Sequence, residues 1–201
     1  MIIVTSDLQN KFEDEYILNL IIPSSSNVVK VSPKKFFEID KKFFNPLTKI
    51  IKHKIQKRVF YISLYYPNAY ELNVLRILEN KYFKRSKFLL PIIEENYSMN
   101  FYQWKKNDIL RINKYGIPEP MKSKIIIPDI ILVPLLAFDK KKNRLGYGKG
   151  FYDRYLNKNL KKKDKKITAV GVAFSFQKIH KLPINNKDIK LDYIITEKGL
   201  M

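Results

Sequence analysis

From residue 58 onward, short apolar runs alternate with stretches of helical period. Arg58–Tyr66 is β-branched and aromatic and is closed by Pro67-Asn68, which predicts a strand. Tyr70–Lys81 carries Leu72, Leu75, Ile77 and Leu78 at helical spacing. Lys87–Leu90, stopped by Pro91, predicts a second strand, and Ser98–Trp104 a third. The chain then enters a loop through Tyr115–Pro120. Ile130–Val133 is apolar throughout, as in a strand buried on both faces of a parallel sheet. A helix over Gly150–Leu160 and strands over Lys166–Ala173 and Leu191–Thr196 complete the set. Strands alternating with helices predict an α/β fold: one layered domain, with a mostly parallel central sheet flanked by helices as an open Rossmann-like sheet.

The first 57 residues predict a helical segment ahead of this 58–201 core. Lys11–Ile22 places Phe12, Tyr16, Ile17 and Leu20 on one helical face, and Pro23–Asn27 reads as a loop. Ser32-Pro33 resembles a cap and first helical position ahead of Phe36, Phe37 and Ile39. Leu47–Ile55 predicts a further helix. No fixed-period repeat is present, which argues against a solenoid.

The 201 residues suffice for one sizeable core, and 45% hydrophobic content is far above that of a disordered chain. The absence of cysteine excludes disulfides, thiolate metal sites and a cysteine nucleophile. Met1–Glu15 carries acids and lacks the basic start and apolar stretch of a secretory signal. The most apolar stretch, Ile125–Phe138, is too short to span a bilayer and holds Asp129. A cytoplasmic protein, away from membranes, is expected.

The net charge of +20 points two ways. It would suit a nucleic-acid partner. However, the excess is Lys, within a composition rich in Ile, Asn, Tyr and Phe, and there are only six arginines to make bidentate base contacts. Compositional drift is the preferred reading. The charge would still attract an anionic nucleotide or acidic substrate.

Arg144-Leu-Gly-Tyr-Gly-Lys-Gly-Phe-Tyr-Asp-Arg154 carries the chemistry. Three alternating glycines, 146, 148 and 150, let the backbone bend and approach a ligand. Their N–H groups, with the start of the following helix, can converge on phosphate oxygens. Arg144 and Lys149 add cations, and Asp153 is a hard oxygen ligand suited to Mg²⁺. The spacing is neither a Walker loop nor a dinucleotide fingerprint. A merely flexible turn into a helix is the alternative.

This block, with Asp129–Asp139 before it and Gly116-Ile-Pro-Glu-Pro120 and Met99–Trp104 upstream, resembles the 5-formyltetrahydrofolate cyclo-ligase family. Glu71, Gly171-Val-Ala-Phe174, Gln177, Asp188–Asp192 and Thr196-Glu197 match as well, so the likeness spans roughly residues 58 to 197. The resemblance implies ATP-dependent closure of 5-formyltetrahydrofolate to 5,10-methenyltetrahydrofolate, with release of ADP and phosphate. It implies catalytic roles for Arg144 and Lys149, with ATP held along Arg144, Leu145, Gly146, Tyr147, Gly148, Lys149, Gly150, Phe151 and Tyr152. Folate would meet Tyr66, Glu71, Trp104, Tyr147 and Phe151, and Asp153 and Asp188 would hold Mg²⁺. A monomer is expected.

Each residue has a plainer reading. Glu71 suits the first turn of any helix, Asp188 suits a polar turn, and Tyr66, Trp104 and Phe151 suit a core. His53 and His180 lack metal-ligand spacing and are read as surface or packing residues. The family's N-terminal helix, with a Lys and an Arg four residues later, has no match in Met1–Asn27, where Lys11 is the only cation. A relative that binds folate or nucleotide without turnover is therefore the alternative function.

Overall fold

The computed structural model describes residues 39–54, 59–67, 71–160 and 167–201. The expectations for Lys11–Ile22, Pro23–Asn27 and Ser32-Pro33 lie outside them. The described residues fall in one compact unit, Ile39–Met201.

Its centre is a seven-stranded sheet. In chain order the strands are β1 (Tyr61–Ser63), β2 (Lys87–Ile93), β3 (Met99–Gln103), β4 (Leu110–Ile112), β5 (Pro118–Pro120), β6 (Ile130–Pro134), β7 (Ala137–Phe138), β8 (Arg144–Leu145), β9 (Thr168–Val172), β10 (Tyr193–Thr196) and β11 (Gly199–Leu200). The sheet runs β11-β10-β9-β6-β1-β2-β3. The five inner strands are parallel, and β3 and β11 are antiparallel edges. The α/β expectation holds. β6 and β9 are buried along their whole length, which explains the unbroken apolar run Ile130–Val133 in β6.

Among the described residues two α-helices accompany the sheet, α1 (Asn45–Lys54) and α2 (Phe151–Leu160). Leu47 and Ile50 of α1 are buried, one turn apart. On α2, Leu156 and Tyr155 enter the core, and the Tyr155 ring meets Phe101 of β3 edge-on at 4.8 Å.

Three expectations are corrected. The helix predicted over Tyr70–Lys81 is instead a pair of 3₁₀ turns, Val74–Glu79 and Lys81–Phe83. Asn73 caps the first by accepting from the Leu75 N–H, and Asn80 caps the second by accepting from the Tyr82 N–H. The second asparagine cap starts a new turn seven residues after the first and ends any longer helix, and buried Val74 and Ile77 match the three-residue period. Secondly, the predicted loop Tyr115–Pro120 contains β5, which pairs with β4 as a two-stranded ribbon. Such a ribbon needs only one bonded edge, so Pro118 and Pro120 are tolerated.

Thirdly, β2 continues through Pro91 to Ile93. Phe88 and Glu94 bond toward β3, whereas Lys87 and Leu89 bond toward β1. By the two-residue period Pro91 faces β1, whose pairing ends at Ser63–Leu89. With no N–H at Pro91, the chain after Leu64 leaves the sheet. The next donor on that edge, the Ile93 N–H, is taken by the Glu119 carboxylate at 2.8 Å.

The strand order reverses direction at β1: β2 lies on one side and β6 on the other. In open α/β sheets, ligands bind beyond the carboxyl ends of the strands at such a point. Here those ends lead into 64–71 and into 135–151.

Candidate functional site

The segment after β6 reaches the site through a hairpin, β7 paired with β8. Its turn is built on Asp139, which is 1% exposed. One carboxylate oxygen accepts from the N–H groups of Lys141 and Asn143, and the other from the Asn143 amide and the Leu182 N–H. Burial acts to raise the Asp139 pKa, but these hydrogen bonds, led by the Asn143 side chain, outweigh it and hold the carboxyl below its ordinary value. The turn fixes where Arg144 leaves the hairpin.

Arg144 then folds beneath the glycines. Its side chain is 6% exposed, and its guanidinium donates to Asp153 at 2.8 Å. Its Nε is buried with no hydrogen-bond partner. A Cβ on Gly146 would lie 2.7 Å from the Arg144 Nη1, so a side chain there would displace the guanidinium that the bare backbone crosses. Gly150, at φ 62°, turns the chain into α2, and its carbonyl accepts from the Arg154 N–H at 3.0 Å. Among the described residues, none of the N–H groups of Gly146, Tyr147, Gly148 or Lys149 donates to a protein acceptor. The loop thus presents a run of free donors at the start of a helix, with Lys149 exposed beside them.

Asp153 lies in the first turn of α2. Its second oxygen accepts from the Ile189 N–H at 3.1 Å, which brings the Asp188 turn beside it. Asp188 accepts from the Asn185 N–H. Among the described residues there is no cluster of three or more acidic or histidine side chains able to cage a metal.

On the β1 side, Glu71 shares its surroundings with three tyrosines. Burial pushes the Tyr65, Tyr147 and Tyr152 hydroxyls up, and the Glu71 carboxylate pushes each further. Arg144 opposes this at Tyr152 and lies 5.9 Å from its ring. Tyr65 donates to the Leu72 carbonyl at 3.0 Å. Glu71, eight residues beyond β1, is thus within electrostatic reach of Tyr65, of Tyr147 in the glycine loop and of Tyr152 in the first turn of α2. Tyr66, half-buried, follows Tyr65 out of β1.

Phe151 is flanked by Tyr97 and Tyr115, each with its centroid 6.3 Å away. The Lys149 ammonium sits 3.7 Å from the centre of the Tyr115 ring. Arg154 reaches the Tyr97 and Phe151 rings and donates to the Tyr97 carbonyl.

Trp104 is not in this group. It is 4% exposed, and its backbone N–H donates to the Phe88 carbonyl at the start of β2. Because β3 runs antiparallel to β2, Trp104 lies at the amino edge of the sheet, opposite the reversal-point loops. Its side chain is buried in the core at that edge.

The 5-formyltetrahydrofolate cyclo-ligase family model matches residues 35–197, which span both reversal-point loops, the glycine block and β10. The chain belongs to that family. A Haemophilus influenzae 5-formyltetrahydrofolate cyclo-ligase is 30% identical over 143 residues, covering 68% of this chain and 75% of its own. A probable enzyme of the same name from Schizosaccharomyces pombe is 35% identical over 141 residues, covering 63% and 69%. Among solved structures, the 5,10-methenyltetrahydrofolate synthetase of Aquifex aeolicus superposes with a TM-score of 0.60 at 31% identity, covering 80% of each chain. That of Mycoplasma pneumoniae gives 0.53 at 25% identity, covering 77% of this chain and 83% of its own.

Sequence reasoning missed Tyr65, Tyr97 and Tyr115 as neighbours of the site, and it did not assign Glu119 a contact. Tyr97 carried no local signal, because its φ of 57° and its place beside Phe151 come from tertiary packing. Tyr115 and Glu119 lay within a recognised motif, but a motif does not say what its side chains touch.

Proposed function

We propose that this chain converts 5-formyltetrahydrofolate and ATP to 5,10-methenyltetrahydrofolate, ADP and phosphate, at the carboxyl ends of β1 and β6. The observation that supports it most is the juxtaposition of two different surfaces there. One is the glycine loop, a run of free N–H donors with Lys149 beside it and Arg144 beneath. The other is Glu71 among Tyr65, Tyr147 and Tyr152.

The reaction needs little covalent help from the protein. The formyl oxygen takes the γ-phosphoryl group of ATP and ADP leaves. The N10 amine then attacks the activated carbon and loses its proton, and departure of phosphate leaves the methenyl bridge. The protein's task is to hold the γ-phosphoryl in line with the formyl oxygen and to balance moving charge. The backbone from Leu145 to Tyr152 would bind the phosphates, with Lys149 as the exposed cation. Arg144 would act from below, through its charge and through the Nε donor left unpaired by Asp153.

Glu71 would accept from the pterin, whose ring donors match a carboxylate. Tyr66, Tyr147 and Phe151 would supply flat apolar surface around it. Asp153 and Asp188 would hold Mg²⁺, which supplies neutralisation of phosphate charge. Each Asp153 oxygen accepts one hydrogen bond, from Arg144 or from the Ile189 N–H, and keeps acceptor capacity, and Mg²⁺ is commonly held by one or two carboxylates together with substrate phosphates. The donor set therefore fits the ion. A cytoplasmic setting suits this substrate; no helix among the described residues is long and apolar enough to cross a membrane.

The test is turnover by the purified chain with Mg²⁺-ATP and 5-formyltetrahydrofolate, followed by ADP release and the near-ultraviolet absorbance of the methenyl product. Lys149→Ala should raise KM for ATP and lower kcat while Glu71→Gln raises KM for the folate alone. Unchanged kinetics in both would remove the residue assignment.

A further inference from the structure

We infer that Glu119 and Tyr115 are positioning residues that act in series on Lys149. This rests on the reading of Lys149 as the phosphate-facing cation. Glu119 is 3% exposed, although its strand belongs to a two-stranded ribbon rather than to the main sheet. One of its oxygens accepts from the Ile93 N–H at 2.8 Å and from the Asn113 amide at 2.7 Å. The first bond fastens the ribbon to the β2 edge left open by Pro91. The second fixes the Asn113 side chain, whose own oxygen accepts from the N–H groups of Tyr115 at 2.8 Å and Ile117 at 3.1 Å. Gly116, at φ 75°, closes the turn.

The strut ends on the Tyr115 ring, which carries the Lys149 ammonium 3.7 Å from its centre and lies beside Phe151. Lys149 is exposed, and no ion pair with a described acid holds it. A flexible ammonium in water spreads over many rotamers, so a ring face at this distance is what localises it. The chain of contacts therefore runs from the sheet edge, through one buried carboxylate, to a cation on the far side of the ribbon turn. Glu119 touches neither ligand. It acts by holding Tyr115, and Tyr115 by holding Lys149.

The experiment is a double-mutant cycle on the full chain with Glu119→Ala, Tyr115→Leu and both together, reading KM for ATP and kcat separately and ATP binding by calorimetry. Each single variant should raise KM for ATP about threefold to tenfold, the worth of one cation–π contact. The double variant should be no worse than the worse single one, because the two act in series. Tyr115→Phe, which keeps the ring face, should restore the wild-type value, and Glu119→Gln, which keeps an acceptor oxygen, should recover part of it. Additive effects, or a Tyr115→Leu variant with unchanged KM for ATP, would overturn the inference. Should Glu119→Ala fail to fold, Asn113→Ala replaces it in the cycle. A wild-type chain without turnover defeats the proposed function and not the strut, which the calorimetric cycle still measures.

Discussion

Asp153 is held 2.8 Å from Arg144 in a largely buried pair, with side-chain exposures of 19% and 6%. Both residues are read from sequence as ligand-facing, one for metal and one for phosphate. The structure shows that they first bind one another and thereby tie the start of α2 to the strand that leads into the glycine loop. Loop shape and ligand charge are thus set by the same two side chains.

Removing one partner strands a buried charge. Arg144→Met and Asp153→Leu should each cost about 3 kcal/mol, whereas the double variant should cost less than the sum. Urea titration checks the stability arm. All three should lose turnover, because the pair's charge and the loop's shape go together. An active Asp153→Leu variant would refute its proposed place beside Mg²⁺.

Gly146→Ala separates shape from charge. The added Cβ would stand 2.7 Å from the Arg144 Nη1, the end of a side chain that can shift but is pinned by Asp153. The fold should survive, with a stability change of about 1 kcal/mol, while kcat falls at least about tenfold. Thermal melting and the absorbance assay distinguish these. Wild-type kcat would mean that Arg144 need not lie beneath the loop.

The Asp139 turn gives a pH signature. Its folded pKa is depressed, so the stabilisation is fully present above the unfolded value of about 3.9 and is lost as pH falls through the folded one. Asp139→Asn turns an amide toward the donors on Asn143 and Leu182 and should cost about 2 kcal/mol near neutrality. The deficit relative to wild type should shrink in acid. Urea midpoints at pH 7 and below pH 4 measure it, and a pH-independent deficit would contradict the assignment.

Trp104→Phe should leave KM for the folate within about twofold of wild type, because the residue lies at the opposite edge of the sheet. Its effect should be confined to stability, about 1–2 kcal/mol from imperfect filling of the core. A large rise in KM for the folate would return Trp104 to the site.

These residues show how far the sequence carries. The parallel sheet was legible because Ile130–Val133 of β6 is apolar throughout, a pattern with few other solutions. The glycine block was legible because bare backbone between cations has a specific chemistry. The 3₁₀ turns at Val74 and Lys81 were hidden, since the asparagine caps that shorten them look like ordinary polar positions within a helical period. Pro91 read as a strand end because its local cost is plain, whereas its position on an edge where β1 has already departed is a property of topology. Tyr66 and Trp104 looked alike as aromatics at strand ends, and strand direction alone separates them.

The most direct test is to mix the purified full chain with Mg²⁺-ATP and 5-formyltetrahydrofolate and to record product absorbance and ADP together. One ADP should appear for each methenyl group formed, and neither should appear when ATP or the folate is omitted. Saturating ligands that yield neither product absorbance nor ADP would contradict the account.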